Sequence, residues 1–148
     1  MTYSTLTGAI LGAVLCGALV TSAHAGEYKI VNSTIPASLT GKAGDPANGK
    51  KLAISRKKGN CLACHVMPIP EQQFHGEVGP DLSDVASYMT EAEMRMRVVD
   101  PKVINPDTIM PSFLKVPTNR VLKKFQGKTI ISDQDVEDII AYMMTLKD

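Results

Sequence analysis

The sequence predicts an all-α domain closed around a large apolar group that is not an amino acid. Three observations lead there. Helix signals recur in three places, the first and last with capping residues at the start and the middle one with a stop at Asp100-Pro101. No stretch alternates apolar and polar residues well enough to read as a sheet. The 148 residues include no Trp, three Phe and four Tyr, so large rings are scarce and something else must fill the core. At 44% hydrophobic and 21% charged, with a net charge of +1, the composition is that of a globular protein. The length suits one domain, not two ordinary ones. The charge balance excludes nucleic-acid binding by bulk positive charge, and it excludes an acidic disordered tail.

In chain order, the first element stands apart. Residues 1–26 carry no charged side chain, and an apolar run from Ala9 to Val20 leads into Ala23-His24-Ala25. A bilayer span needs about 20 apolar residues. An export signal needs a core of roughly 7–15 and a small-x-small cleavage site. The second description fits residues 1–25 as a signal cleaved after Ala25, although no Lys or Arg precedes the core; an uncleaved anchor is the alternative. The mature chain is then periplasmic, without a membrane span, and Cys16 is discarded with the signal. Residues 26–44 follow as an N-terminal extension, and the folded domain is expected over 45–148.

Asp45-Pro46 reads as an N-cap followed by Pro at the first helical position. That helix is expected to run through Leu52, Ala53 and Ile54 until Gly59-Asn60 breaks it. A middle helix is predicted from Thr90 to Val99, closed by Asp100-Pro101. Ser132-Asp133-Gln134-Asp135 resembles a capping box. Val136, Ile139, Ile140 and Met143 then mark one face of a last helix.

Export leaves Cys61 and Cys64 as the mature cysteines, in a compartment that permits disulfides. They lie in Cys61-Leu62-Ala63-Cys64-His65, the spacing of covalent haem attachment. Two thiols about one helical turn apart can each add to one vinyl group of a porphyrin, which leaves His65 beneath the ring. Three other readings compete. A zinc site with His65 and His75 lacks a second ligand pair at finger spacing. A thioredoxin-type pair should follow a strand in a βαβ unit, and a bare Cys61–Cys64 disulfide leaves the adjacent His unexplained. One covalent haem c accounts for the motif and for the missing rings together.

The other face of the iron decides the chemistry: a protein ligand gives electron transfer, an open position gas binding or oxidation catalysis. Met67 is too close to His65 to reach it. Met94 and Met96, like Met143 and Met144, fall in helical patterns, where Met is usually core filler. Met110 lies in the irregular stretch Asn105-Pro106-Asp107-Thr108-Ile109-Met110-Pro111, stiffened by proline on both sides. Met110 is the expected second ligand, with an ordinary buried methionine as the alternative. A thioether favours reduced iron and raises the reduction potential. A ligating histidine commonly donates its other N–H to a carbonyl. In Gly79-Pro80-Asp81-Leu82, the Pro80 carbonyl could serve, although the spacing alone predicts little beyond a turn. His75 is expected on a surface loop, with a contact near the haem as the alternative. Lys50, Lys51, Lys57, Lys58, Lys123, Lys124 and Lys128 read mostly as a solvated face, and could steer an acidic redox partner.

Together, Gly49, the Cys61–His65 motif, Gly79-Pro80-x-Leu82, Met110-Pro111 and Tyr142 resemble a class I cytochrome c over residues 45–148. That resemblance strengthens Pro80 and Met110 as haem-site residues. It also implies that the first and last helices cross where Gly49 meets Tyr142. A narrower resemblance is to the SoxX family of small monohaem cytochromes. It is carried by Ile35-Pro36-Ala37-Ser38-Leu39-Thr40-Gly41, Gly44-Asp45-Pro46, Phe74-His75-Gly76-Glu77-Val78-Gly79-Pro80, residues 105–113, Phe125-Gln126-Gly127-Lys128 and Val136-Glu137-Asp138. It implies a non-catalytic electron-transfer subunit, paired with a SoxA-like haem subunit in an enzyme that joins thiosulfate to a cysteine of the SoxYZ carrier. The subunit passes electrons to an acceptor cytochrome c. Ile30, Val31, Ile35 and Leu39 of the extension are then expected against the partner. A free periplasmic monohaem carrier is the alternative function.

Overall fold

The computed structural model describes residues 28–116, 123 and 126–147 of the chain. The expected signal and its cleavage site, Lys124 and Phe125 lie outside these. Three α-helices form, α1 (Pro46–Ile54), α2 (Glu91–Val99) and α3 (Asp133–Met143), with single 3₁₀ turns at Cys61–Ala63, Val85–Ser87 and Pro101–Val103. Among the described residues no strand forms beyond one isolated bridge between Val31 and Thr34. The all-α expectation holds.

Each helix starts where its cap lies. Asp45 accepts from the N–H groups of Ala47 (2.8 Å) and Asn48 (3.3 Å), with Pro46 in the first turn. Thr90 with Glu93, and Ser132 with Asp135, close reciprocal capping boxes on α2 and α3. α1 stops at Ile54, short of the expected Gly59-Asn60 break. Arg56, Lys57 and Lys58 are exposed, so a further turn would bury nothing. The chain instead folds back through bonds from Lys58 and Asn60 to the Ser55 carbonyl, and Asn60 takes a left-handed φ of 49°.

α1 and α3 cross at close range. A Cβ on Gly49 would collide with the Asp138 carbonyl and come within 2.8 Å of the Tyr142 Cβ, so only glycine permits this approach. The crossing is fastened by the buried carboxylate of Asp138. It accepts from the Asp45 N–H (2.9 Å), the Asn48 side-chain amide (2.7 Å) and Gln134 (2.9 Å). Val136, Ile139, Ile140 and Met143 are all buried, as their spacing predicts.

The segment before α1 is folded onto the domain itself. Ile35 is fully buried, and its N–H donates to the Ala92 carbonyl at 3.1 Å. Its own carbonyl accepts from Arg95 Nη1 (2.9 Å), while Arg95 grips Glu137 through Nε (2.8 Å) and Nη2 (3.0 Å). Glu137 in turn accepts from the Leu39 N–H at 2.9 Å. Ile35 and Leu39 therefore face this chain's own core instead of a partner, whereas Ile30 and Val31 stay exposed. The sequence-based expectation is corrected for Ile35, whose carbonyl serves the buried guanidinium–carboxylate pair, while Leu39 stays partly buried. Among the described residues no helix is long and apolar enough to cross a membrane.

Candidate haem site

The left-handed Asn60 turns the chain into the 3₁₀ turn Cys61–Ala63, and both the Cys64 N–H (3.1 Å) and the His65 N–H (3.0 Å) donate to the Cys61 carbonyl. Both thiols and the imidazole thus leave one tight turn. The following loop returns over them. Gly76 donates to the Leu62 carbonyl (2.8 Å), Gly79 to Cys64 (2.8 Å) and Leu82 to Val66 (2.9 Å). Gly79 lies flat against the His65 ring, where a Cβ would overlap imidazole atoms.

His65 Nδ1 is 2.7 Å from the Pro80 carbonyl oxygen. A carbonyl only accepts, so Nδ1 carries the proton and Nε2 keeps its lone pair. That is the tautomer an iron ligand requires. Cys61, Cys64, His65, Pro80 and Met110 line one cavity of about 480 Å³, whose walls are otherwise mostly apolar. A second cavity of about 260 Å³ shares His65, Pro80 and Met110 with the first. Met110 is partly buried at this wall, and its N–H donates to Thr108 Oγ1 at 3.2 Å. The remaining methionines behave as expected of core residues: Met67, Met94, Met96 and Met143 are buried, and Met89 and Met144 partly so.

The competing chemistries fit this site poorly. Among the described residues no three His, Cys, Asp or Glu side chains gather into a metal site, which leaves zinc without a ligand set. Burial pushes the Cys61 thiol up to about 11, whereas a redox-active pair needs a lowered value. A paired thiol, a lone-pair nitrogen and a thioether on one apolar slot suit a haem held through two thioether bonds.

His75 is not on a fully exposed loop, nor at the haem cavity. It is half-buried, and its Nδ1 accepts from the Met67 N–H at 3.3 Å. Of the lysines, Lys58 pairs with Asp135 (3.0 Å) and Lys50 with Glu71 (2.6 Å), and Lys51, Lys57, Lys123 and Lys128 are solvated. Sequence reasoning missed Gly79 as the seat of the imidazole, although it stood beside the proline that was singled out. It also missed Val78 and Ile109, exposed apolar residues on the cavity wall, which no periodic pattern marks.

Helices around an apolar slot with a Cys-x-x-Cys-His turn on its wall define a c-type cytochrome. Residues 46–147 match the Cytochrome c family, and the chain belongs to it. It carries one covalently attached haem c. No curated protein sequence matches it significantly. Among solved structures it is similar to a chain of the crystal structure of SoxXA from P. pantotrophus. The two share 34% identity at a TM-score of 0.75, over 82% of this chain and 96% of that one. That coverage exceeds what residues 46–147 supply, so the likeness takes in part of the N-terminal segment. The chain is a SoxX-like electron-transfer cytochrome.

Proposed function

We propose that this protein is the small monohaem subunit of a SoxXA-type complex. It receives electrons from a SoxA-like haem subunit and passes them to a soluble acceptor cytochrome c. The observation that carries this reading is the likeness to SoxXA through the N-terminal segment, beyond what a minimal cytochrome domain requires. The whole complex would join thiosulfate to a cysteine thiol of a SoxYZ-like carrier, forming an S–S bond and releasing a proton and two electrons. When bound, the haem supplies a one-electron couple, so each event needs two transfers.

This chain's residues account for its share of that work. Cys61 and Cys64 hold the cofactor as thioethers, which leaves the mature chain without a free thiol to carry sulfur. The sulfur chemistry then belongs to a partner, and this chain contributes no catalytic residue. His65, fixed by the Pro80 carbonyl, and Met110 would hold the iron of that haem. A soft thioether favours the reduced state, and two protein ligands leave little geometry to change when an electron arrives. Export through a signal cleaved after Ala25 delivers the chain to the periplasm. Residues 26–44, through the exposed Ile30 and Val31, add to the partner contact.

The test is gentle purification from the native periplasm, followed by complex mass and haem content. A heterodimer with a second haem protein is expected, with thiosulfate-dependent reduction of its haem. A lone monohaem monomer would replace this reading with that of a free electron carrier.

A further inference from the structure

We propose that Arg97 binds the propionate carboxylates of the haem. The two vinyl groups and the two propionates of the porphyrin lie on opposite halves of the ring. Cys61 and Cys64 fasten the vinyl half, so the carboxylates belong at the far end of the slot. The slot continues into the second cavity, which shares His65, Pro80 and Met110 with the first but includes neither cysteine. Apart from His65, Arg97 is the one basic residue on that cavity's wall.

The two arginines of α2 are used in opposite ways. Arg95 is buried and paired through two nitrogens with Glu137. Arg97 is half-buried, and its one hydrogen bond among the described residues is a 3.3 Å contact from Nη1 to the Glu93 carbonyl within the same helix. The Glu93 carboxylate one turn earlier feels its charge but forms no ion pair with it, and no ion pair among the described residues includes Arg97. A guanidinium withdrawn from water beside an apolar slot is costly unless an anion meets it. Its planar fork suits a carboxylate. The other polar residues there are occupied and uncharged. The Tyr88 hydroxyl donates to the Asp81 carbonyl at 3.3 Å, and the Asn105 side-chain oxygen accepts from the Asp107 N–H at 3.0 Å. Arg56 and Lys58 line the first cavity, with both cysteines, and not the second, and Lys58 already has Asp135. The assignment depends on the covalent haem and not on the proposed complex.

The experiment compares haem-loaded wild type with Arg97→Gln, Arg97→Lys and Arg56→Gln, by redox titration and by the propionate-bending band in resonance Raman spectra. Removing a cation next to a carboxylate disfavours the electron-richer state. Arg97→Gln should lower the reduction potential by about threefold to tenfold in the reduction equilibrium, tenfold being 59 mV for one electron. It should also move the propionate band. Arg97→Lys keeps the charge and should restore the potential, and Arg56→Gln should leave the band in place. A band unmoved by Arg97→Gln, a band moved by Arg56→Gln, or no recovery with lysine would overturn the assignment. Should Arg97→Gln fail to accumulate, a crystal structure of the wild-type haem protein decides. A guanidinium more than about 4 Å from both carboxylates refutes the contact.

Discussion

His65 is held by its own backbone surroundings, whereas Met110 hangs from a loop with few ties. Around His65, the Pro80 carbonyl fixes one ring nitrogen at 2.7 Å, Gly79 lies against the ring, and bonds from Gly79 and Leu82 return the loop to Cys64 and Val66. On the Met110 side the ties are mostly side-chain bonds: Met110 N–H to Thr108 Oγ1 (3.2 Å), Lys102 Nζ to the Thr108 carbonyl (2.7 Å) and Ser112 Oγ to Asp100 (2.6 Å), with one backbone bond from Thr108 to Asn105 (3.2 Å). The next backbone bond to a helix runs from Phe113 to Val98 (3.1 Å). One side of the slot is built by the fold, and the other leans on what the slot contains. Substitutions on the first side should remove the haem or disrupt its coordination; those on the second should retune it.

The largest expected effect is on the built side. Replacing Cys61 and Cys64 together by serine should eliminate covalent haem, read by haem staining after denaturing electrophoresis; retained stain would break the assignment. Gly79→Val should come next, since its side chain must displace the His65 ring. Expected is a haem that is still covalently attached but has lost its six-coordinate low-spin spectrum. Met110→His tests the leaning side. The haem should stay attached, its thioether charge-transfer band should vanish, and its potential should fall by more than tenfold in the equilibrium, beyond about 59 mV. If Met110→His proved as disruptive as Gly79→Val, the contrast between the two sides would fail.

Away from both seats the effects should be smaller and unrelated to colour. Asp138→Ala removes the acceptor that joins α1 to α3 and should cost about 2 kcal/mol in denaturant unfolding. Burial works against the Asp138 charge, but bonds from Asn48, Gln134 and the Asp45 N–H outweigh it and hold the carboxyl below its usual range. A carboxylate lowered in the folded state stabilises above its unfolded pKa of about 3.9 and loses that contribution as pH falls through the folded value. The stability gap between wild type and Asp138→Asn should therefore narrow from about pH 6 to about pH 3; a constant gap would assign the effect to packing. Smallest is Lys58→Ala, whose half-exposed pair with Asp135 should contribute about 0.5 kcal/mol or less.

What could be read in the sequence was local. Asp45-Pro46 and Ser132 with Asp135 each announce a helix within four residues, and Asp100-Pro101 announces where α2 stops. The Cys61–His65 spacing likewise carries its chemistry in one turn. The Pro80 carbonyl was only a turn signal until resemblance strengthened it. What escaped were the tertiary arrangements. Arg95 and Glu137 are 42 positions apart, and nothing near either one foretells the pair. The place of Ile35 depends on that pair, so a residue that reads as a partner contact is in fact enclosed by this chain. α1 ended early for the same reason: Arg56, Lys57 and Lys58 fit a helix locally, but no surface waits to receive them.

The N–H groups of Leu39 and Asp45 reach acceptors on α3 across 98 and 93 positions of chain. The domain is buckled across its length: the segment before α1 is clasped by α3. Such pairings are slow to form, because the intervening chain must be organised first. A chain that stops before Glu137 would leave Arg95 with the exposed Glu91 carboxylate alone, at 3.5 Å. The segment before α1 and α3 thus form one cooperative unit, with donors on the first and acceptors on the last.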